Sequence, residues 1–180
     1  HPAAIDLAPG VTLHTLEAGG PGVLPKESLA EASDEFGEGV ARLAGRTEPR
    51  YDLIHAHYWL SGIATLPVAI ELGLPFVQSF HTLAAMKNNS LAPGERPEEE
   101  RRLRSESYLA NQADAVVAGS SAEVSSLIDD VGAPQDRLWV IPPGVDIELF
   151  TPERAAAAAT VRRQLGLDPA RAILTVVGRI

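Results

Sequence analysis

Short apolar runs alternate with longer amphipathic stretches along most of the chain. VTLHTLEA (11–18), DLIHAH (52–57), PFVQSF (75–80), AVVAGS (115–120), LWVIP (138–142) and AILTVVG (172–178) are rich in β-branched residues and bounded by Gly, Pro, Asp or Ser. That pattern predicts six strands. Helical spacing falls between them, over roughly 27–46, 59–72, 97–112, 121–131 and 153–165. Strands that alternate with helices need crossover connections, and several of these runs are apolar on both faces. The expected class is therefore α/β, a doubly wound parallel sheet with helices on both sides.

Local signals sharpen the boundaries. Ser120 and Glu123 form a capping box that starts one helix, and Gly132 with Pro134 ends it. Pro67 falls inside the 59–72 element, where it either kinks the helix or marks the start of its regular part. The run RAAAAATVRRQLG favours helix, is closed by Gly166, and is a candidate spacer between lobes. The segment TLAAMKNNSLAPGERP (82–97) is polar, contains Pro and Gly, and is long for a connection in a compact domain; it reads as a binding loop or lid.

Composition narrows the partners. A chain of 180 residues with 45% hydrophobic content can bury one full core. Its 15 Lys+Arg against 24 Asp+Glu leave a formal charge of -9, without the basic footprint that nucleic-acid binding needs. There are no cysteines, which excludes disulfides and thiolate metal sites and fits a cytoplasmic setting. Glu71 interrupts the longest apolar stretch, so no integral membrane segment is expected. The chain opens on His1 with no charged-then-apolar leader, which points to a fragment and to no signal peptide.

In an open parallel sheet, ligands bind beyond the carboxyl ends of the strands. His57 and Tyr58 end one predicted strand, His81 and Thr82 the next, and Gly119 and Ser120 a third, so all share one rim. Tyr58, Trp59 and Ser61 open a helix, where free N–H groups favour an anion. Lys26 precedes another helix, and Arg101, Arg102 and Arg104 follow the long loop. One Lys, one Arg and two hydroxyls converging on an oxyanion would form charge-assisted hydrogen bonds of about 1.5 to 3 kcal/mol each. Spacing does not establish convergence, and the competing reading is a solvated helix face paired with Glu98, Glu99 and Glu100. His55, mid-strand, reads as a packing histidine, and His81 as either a crevice or a structural one. Dinucleotide, P-loop, nucleophile-elbow and spaced metal motifs are lacking.

YDLIHAHYWLSG, SFHTLAAMKN, ADAVVAGSSAE, LWVIPPGVDIELFTP and LTVVGRI together resemble retaining glycosyltransferases of the GT-B fold, family 4. The likeness runs from about residue 9 onward and is strongest to members with a phosphorylated cyclitol acceptor in mycothiol synthesis, with sucrose-phosphate synthases nearby. It implies a Rossmann-like acceptor lobe over 1–168, lacking the family's first strand, glycine-rich loop and first helix, then the first strand of a nucleotide-sugar lobe at 169–180. It further implies that Lys26, Tyr58, Thr82 and Arg102 hold the acceptor phosphate, that His81 lies beside the donor sugar, and that Arg179 touches the donor diphosphate. A departing diphosphate develops negative charge, which a guanidinium is suited to stabilise. Implied partners are inositol phosphate and a nucleotide sugar, UDP-linked N-acetylglucosamine, with no metal. The shortened chain is expected to be inactive alone, and its unpaired sheet edge points to pairing with a second copy in a homodimer. Two alternatives stand beside this reading: a fructose 6-phosphate acceptor, or a non-catalytic binding module on half a GT-B scaffold.

Overall fold

The computed structural model describes residues 3–48, 50–152, 157–168 and 170–176. The chain divides into two compact units, His1–Pro142 and Pro143–Ile180. In the first unit the elements run β1 (Ala4–Ala8), β2 (Val11–His14), a 3-10 segment (Lys26–Ala32), α1 (Ser33–Ala44), β3 (Ile54–His57), α2 (Trp59–Leu72) and β4 (Phe76–Ser79). They continue with α3 (Ala84–Asn89), α4 (Glu100–Gln112), β5 (Ala115–Ala118), α5 (Ser121–Asp129) and β6 (Leu138–Val140). The described part of the second unit carries α6 (Ala158–Gln164).

Strands β3, β4, β5 and β6 form a parallel sheet in sequence order, with His55 opposite Val77, Gln78 opposite Val116, and Val117 opposite Trp139. One face, bearing Ala56, Phe76, Gln78, Val116 and Ala118, is buried. It packs with Leu66 and Ala69 of α2, Leu109 and Ala110 of α4, and Leu127 of α5 into one core. A right-handed crossover repeated in one direction puts successive helices on the same side, which accounts for that layering. On the other face His55 and His57 are exposed, Val77, Ala115 and Val117 are half-buried, and Trp139 is exposed.

The apolar α2 explains much of the packing. Gly37 of α1 lets the two helices approach so closely that a Cβ there would lie 2.4 Å from the carbonyl oxygen of Ala64. Pro67 is accommodated without ending the helix, which closes on Gly73 in the left-handed conformation, φ 65°. The expected capping box is present: Ser120 Oγ accepts from Glu123 N at 3.2 Å, and Glu123 returns a carboxylate to Gly119 N at 2.8 Å.

Several expectations are corrected. Of the 11–18 run only Val11–His14 is strand, and it joins Ala4–Ala8 in a separate antiparallel hairpin, not the parallel sheet. Pro9-Gly10, with Gly10 at φ 76°, supplies the proline-glycine chemistry of a tight turn, so the chain reverses instead of crossing over. The 27–46 stretch opens with a 3-10 segment before α1, and the 82–97 loop contains the short α3. Residues 172–176 carry no strand, while 177–180, with Arg179, lie outside the described residues. Of the 153–165 helix, 153–156 also lie outside them, and Ala158–Gln164 is helical.

Candidate functional site

At the carboxyl end of β3 the backbone takes an unusual path. Among the described residues only two non-glycine residues have positive φ, Tyr58 at 74° and His81 at 62°. Each stands just past the end of a parallel strand. Tyr58, with ψ 155°, occupies a region almost reserved for glycine. It is held there because its N–H donates to the Ser79 carbonyl at 2.8 Å, while its own carbonyl accepts from Gly62 N at 3.1 Å and Gln78 Nε2 at 3.3 Å. Gln78, fully buried in β4, also donates to the Ser79 carbonyl at 3.0 Å. Gly62 is needed beside it, since a Cβ would sit 2.4 Å from Gln78 Oε1.

This turn aims the Tyr58 ring at a guanidinium. The Arg102 Cζ lies 5.1 Å from the ring centroid, in cation–π range. Arg102 is only 3% exposed. Its Nε donates to Glu106 Oε1 at 2.7 Å, and its Nη1 pairs with Glu98 Oε2 at 2.9 Å. Its Nη2 donates to the Thr82 carbonyl at 2.9 Å and to Thr82 Oγ1 at 3.1 Å. A guanidinium so far out of water requires such partners. Glu98 also pairs with Lys87 of α3, and Glu106, 1% exposed, accepts from Ala84 N at 2.8 Å.

The titration behaviour follows from these contacts. Burial raises the Glu106 carboxyl, and the Ala84 N–H and Arg102 only partly offset it. Burial also pulls Glu98 upward, but the hydrogen bonds and charges of Lys87 and Arg102 together outweigh it and leave the carboxyl below its usual range. For Arg102, burial disfavours the charge, yet hydrogen bonding and attraction from Glu106 and Glu98 win, so its pKa is raised.

Lys26, Tyr58, Trp59, Glu98 and Arg102 line one cavity of about 300 Å³. Lys26 stands exposed at the start of the 3-10 segment and forms no salt bridge among the described residues. Arg101 Nη2 donates to the Ala30 carbonyl at 3.3 Å and thereby links α4 to the segment that carries Lys26. Three of the four residues expected to hold a phosphate thus share a cavity, and the fourth, Thr82, is joined to them through Arg102. The arginine cluster divides: Arg102 is buried, whereas Arg104 forms the expected solvated pair with Glu100 at 3.0 Å.

His81 belongs to a neighbouring group. Its Nε2 is 2.8 Å from His57 Nδ1, and the two rings stack at 5.0 Å. His55 lies 4.3 Å from the His57 ring, with Nε2 2.9 Å from Ser79 Oγ. Partial burial, then repulsion from His57 and His81, lowers the His55 pKa. No group of three or more His, Cys, Asp or Glu among the described residues is arranged to hold a metal ion. Sequence reasoning placed His57 on the rim but did not single out Gln78, Glu98 or Glu106 for the site. The i, i+4 spacing of Glu98, Arg102 and Glu106 was the available signal for the last two.

Residues 11–149 match the model of Glycosyltransferase Family 4. The D-inositol 3-phosphate glycosyltransferase of Nocardiopsis dassonvillei is 43% identical over 180 residues, covering 99% of this chain and 41% of that protein. The chain therefore spans about two fifths of the length of the curated relatives it matches. Among solved structures, a sucrose-phosphate synthase from Thermosynechococcus elongatus aligns with a TM-score of 0.77 at 28% identity, over 93% of this chain and 40% of that one. Anabaena Alr3699/HepE in complex with UDP aligns at 0.56 and 26% identity, over 73% of this chain and 32% of that one. The parallel sheet is that of the Rossmann-like N-terminal domain of GT-B enzymes, and the chain belongs to Glycosyltransferase Family 4.

Proposed function

We propose that this chain is the acceptor-holding part of a glycosyltransferase that moves a sugar from a nucleotide sugar to a phosphorylated acceptor of the inositol phosphate class. The observation that carries the reading is the cavity shared by Lys26, Tyr58 and Arg102, with Thr82 hydrogen-bonded to the same guanidinium. An acceptor phosphate there would take charge from Lys26, a hydroxyl from Tyr58 and the N-terminal amides of α2, a donor set that suits a dianion better than a neutral polyol. The names of the relatives support inositol phosphate as the acceptor class. In this reading His81 faces the donor sugar, the donor is UDP-linked N-acetylglucosamine for a step toward mycothiol, and the anomeric configuration is retained. The UDP complex of a structural neighbour supports the choice of base.

A second reading, fructose 6-phosphate as acceptor, is favoured by the likeness to sucrose-phosphate synthase. Calorimetric titration of the chain with inositol 3-phosphate, fructose 6-phosphate and unphosphorylated inositol separates the two. The expected order is inositol phosphate, then fructose 6-phosphate, with inositol weakest, and Lys26→Ala weakens the phosphates selectively. Equal binding of inositol and its phosphate would overturn the proposal.

A further inference from the structure

The two carboxylates that neutralise Arg102 differ in how firmly they are held. Glu106 is 1% exposed, sits within α4, and has each oxygen committed, Oε1 to Arg102 Nε and Oε2 to Ala84 N. Removing it would strand a buried cation and open the start of α3. Glu98 also has both oxygens engaged, Oε1 by Lys87 and Oε2 by Arg102, but it differs in place and exposure. It lies ahead of α4, its side chain is 16% exposed, and it lines the cavity. Its second partner, Lys87, is 48% exposed and stays within reach if the carboxylate turns outward. The backbone of Glu98 is anchored independently, its N–H donating to Asn88 Oδ1 at 2.8 Å, so the side chain can move while the segment stays in place.

Glu98 therefore takes the cavity-side edge of the guanidinium, where an incoming phosphate oxygen would sit. The remaining edges of Arg102 face Glu106 and Thr82. A buried guanidinium left without a counter-charge on that side is strongly destabilised, which gives the pocket a reason to carry its own anion.

We propose that Glu98 is an internal anion that occupies the arginine edge of the pocket until the phosphate of the acceptor displaces it. The inference rests on the proposed phosphate pocket and adds its regulation. Binding becomes an exchange of one oxyanion for another at Arg102, with Lys87 retaining the displaced carboxylate. Arg102 is never bare, and the pocket resists anions too weak to replace Glu98.

The test is a titration of inorganic phosphate into the folded 180-residue chain, read on the Thr82 and Arg102 NMR signals. Glu98→Gln is expected to tighten phosphate binding about tenfold, since one charge-assisted contact no longer has to be given up. The gain should persist in the Lys87→Met/Glu98→Gln double variant, which removes a liberated lysine as its source. Equal or weaker binding by Glu98→Gln, with Thr82 and Arg102 still responding, overturns the displacement while leaving the pocket intact. Phosphate that disturbs neither residue in any variant overturns the pocket itself. Should the variants fail to fold, the wild-type chain still decides: the Glu98 carboxyl carbon signal is expected to move with phosphate saturation, and a stationary signal overturns the inference.

Discussion

The arginine pocket and the histidine group stand at the ends of the same two strands, yet they handle polarity in opposite ways. Arg102 is buried, so its charge is fixed by two carboxylates and a carbonyl. His57 and His81 are exposed, and they meet through a single ring-to-ring hydrogen bond at 2.8 Å whose direction depends on tautomer. Low dielectric makes the first arrangement rigid and intolerant of partial loss. Water leaves the second adjustable, which would suit the proposed placement of His81 beside the donor sugar. The difference teaches that on one rim a dry cluster holds its geometry while a wet one can rearrange.

The strongest challenge to that contrast is Arg102→Met. Removing the guanidinium leaves Glu106 buried with a single hydrogen bond, and the expected loss of stability is about 3–5 kcal/mol, read from the denaturant midpoint. A variant as stable as the wild type would show that the ion pairs contribute little. An intermediate effect is expected at His55. Because its folded pKa is lowered, the unfolded chain binds the proton more readily, so stability falls as the pH drops below the ordinary histidine value. His55→Gln should flatten that part of the stability–pH curve, and a ring titration by NMR should place His55 below a free histidine. The smallest effect belongs to Arg104→Ala. Its pair with Glu100 is 78% and 67% exposed, and thermal unfolding should reveal a change of only about 0.3–0.5 kcal/mol. A larger loss would mean that exposure does not separate the members of the arginine cluster.

Much of the sheet was legible in the sequence because its strands are short apolar runs punctuated by Gly, Pro and Ser. Each of β3 to β6 lies inside a predicted run, and the α2 and α5 boundaries agree closely with the pattern. The hairpin was not legible as such. AIDLA interrupts its apolar residues with Asp6 and is only five residues long, and the register shifts between Asp6 and Ala8. Lys26, Tyr58, Thr82 and Arg102 were singled out by residue type and resemblance. That Glu98 would share Arg102 with them was hidden, because a carboxylate four residues before an arginine reads equally well as a solvated pair. Gln78 was hidden for another reason: one amide inside an apolar strand carries no periodic signal, and its task of holding the Tyr58 carbonyl depends on a crossover twenty residues away in sequence.

The backbone at Tyr58 and His81 bears on any attempt to make this protein more robust. A side chain held at positive φ carries about 1–3 kcal/mol of strain that glycine would not feel. At Tyr58 packing against the core and Arg102 offsets that strain, whereas at exposed His81 selection for heat resistance alone would favour glycine. A hardened scaffold would then arrive without its imidazole at the end of β4.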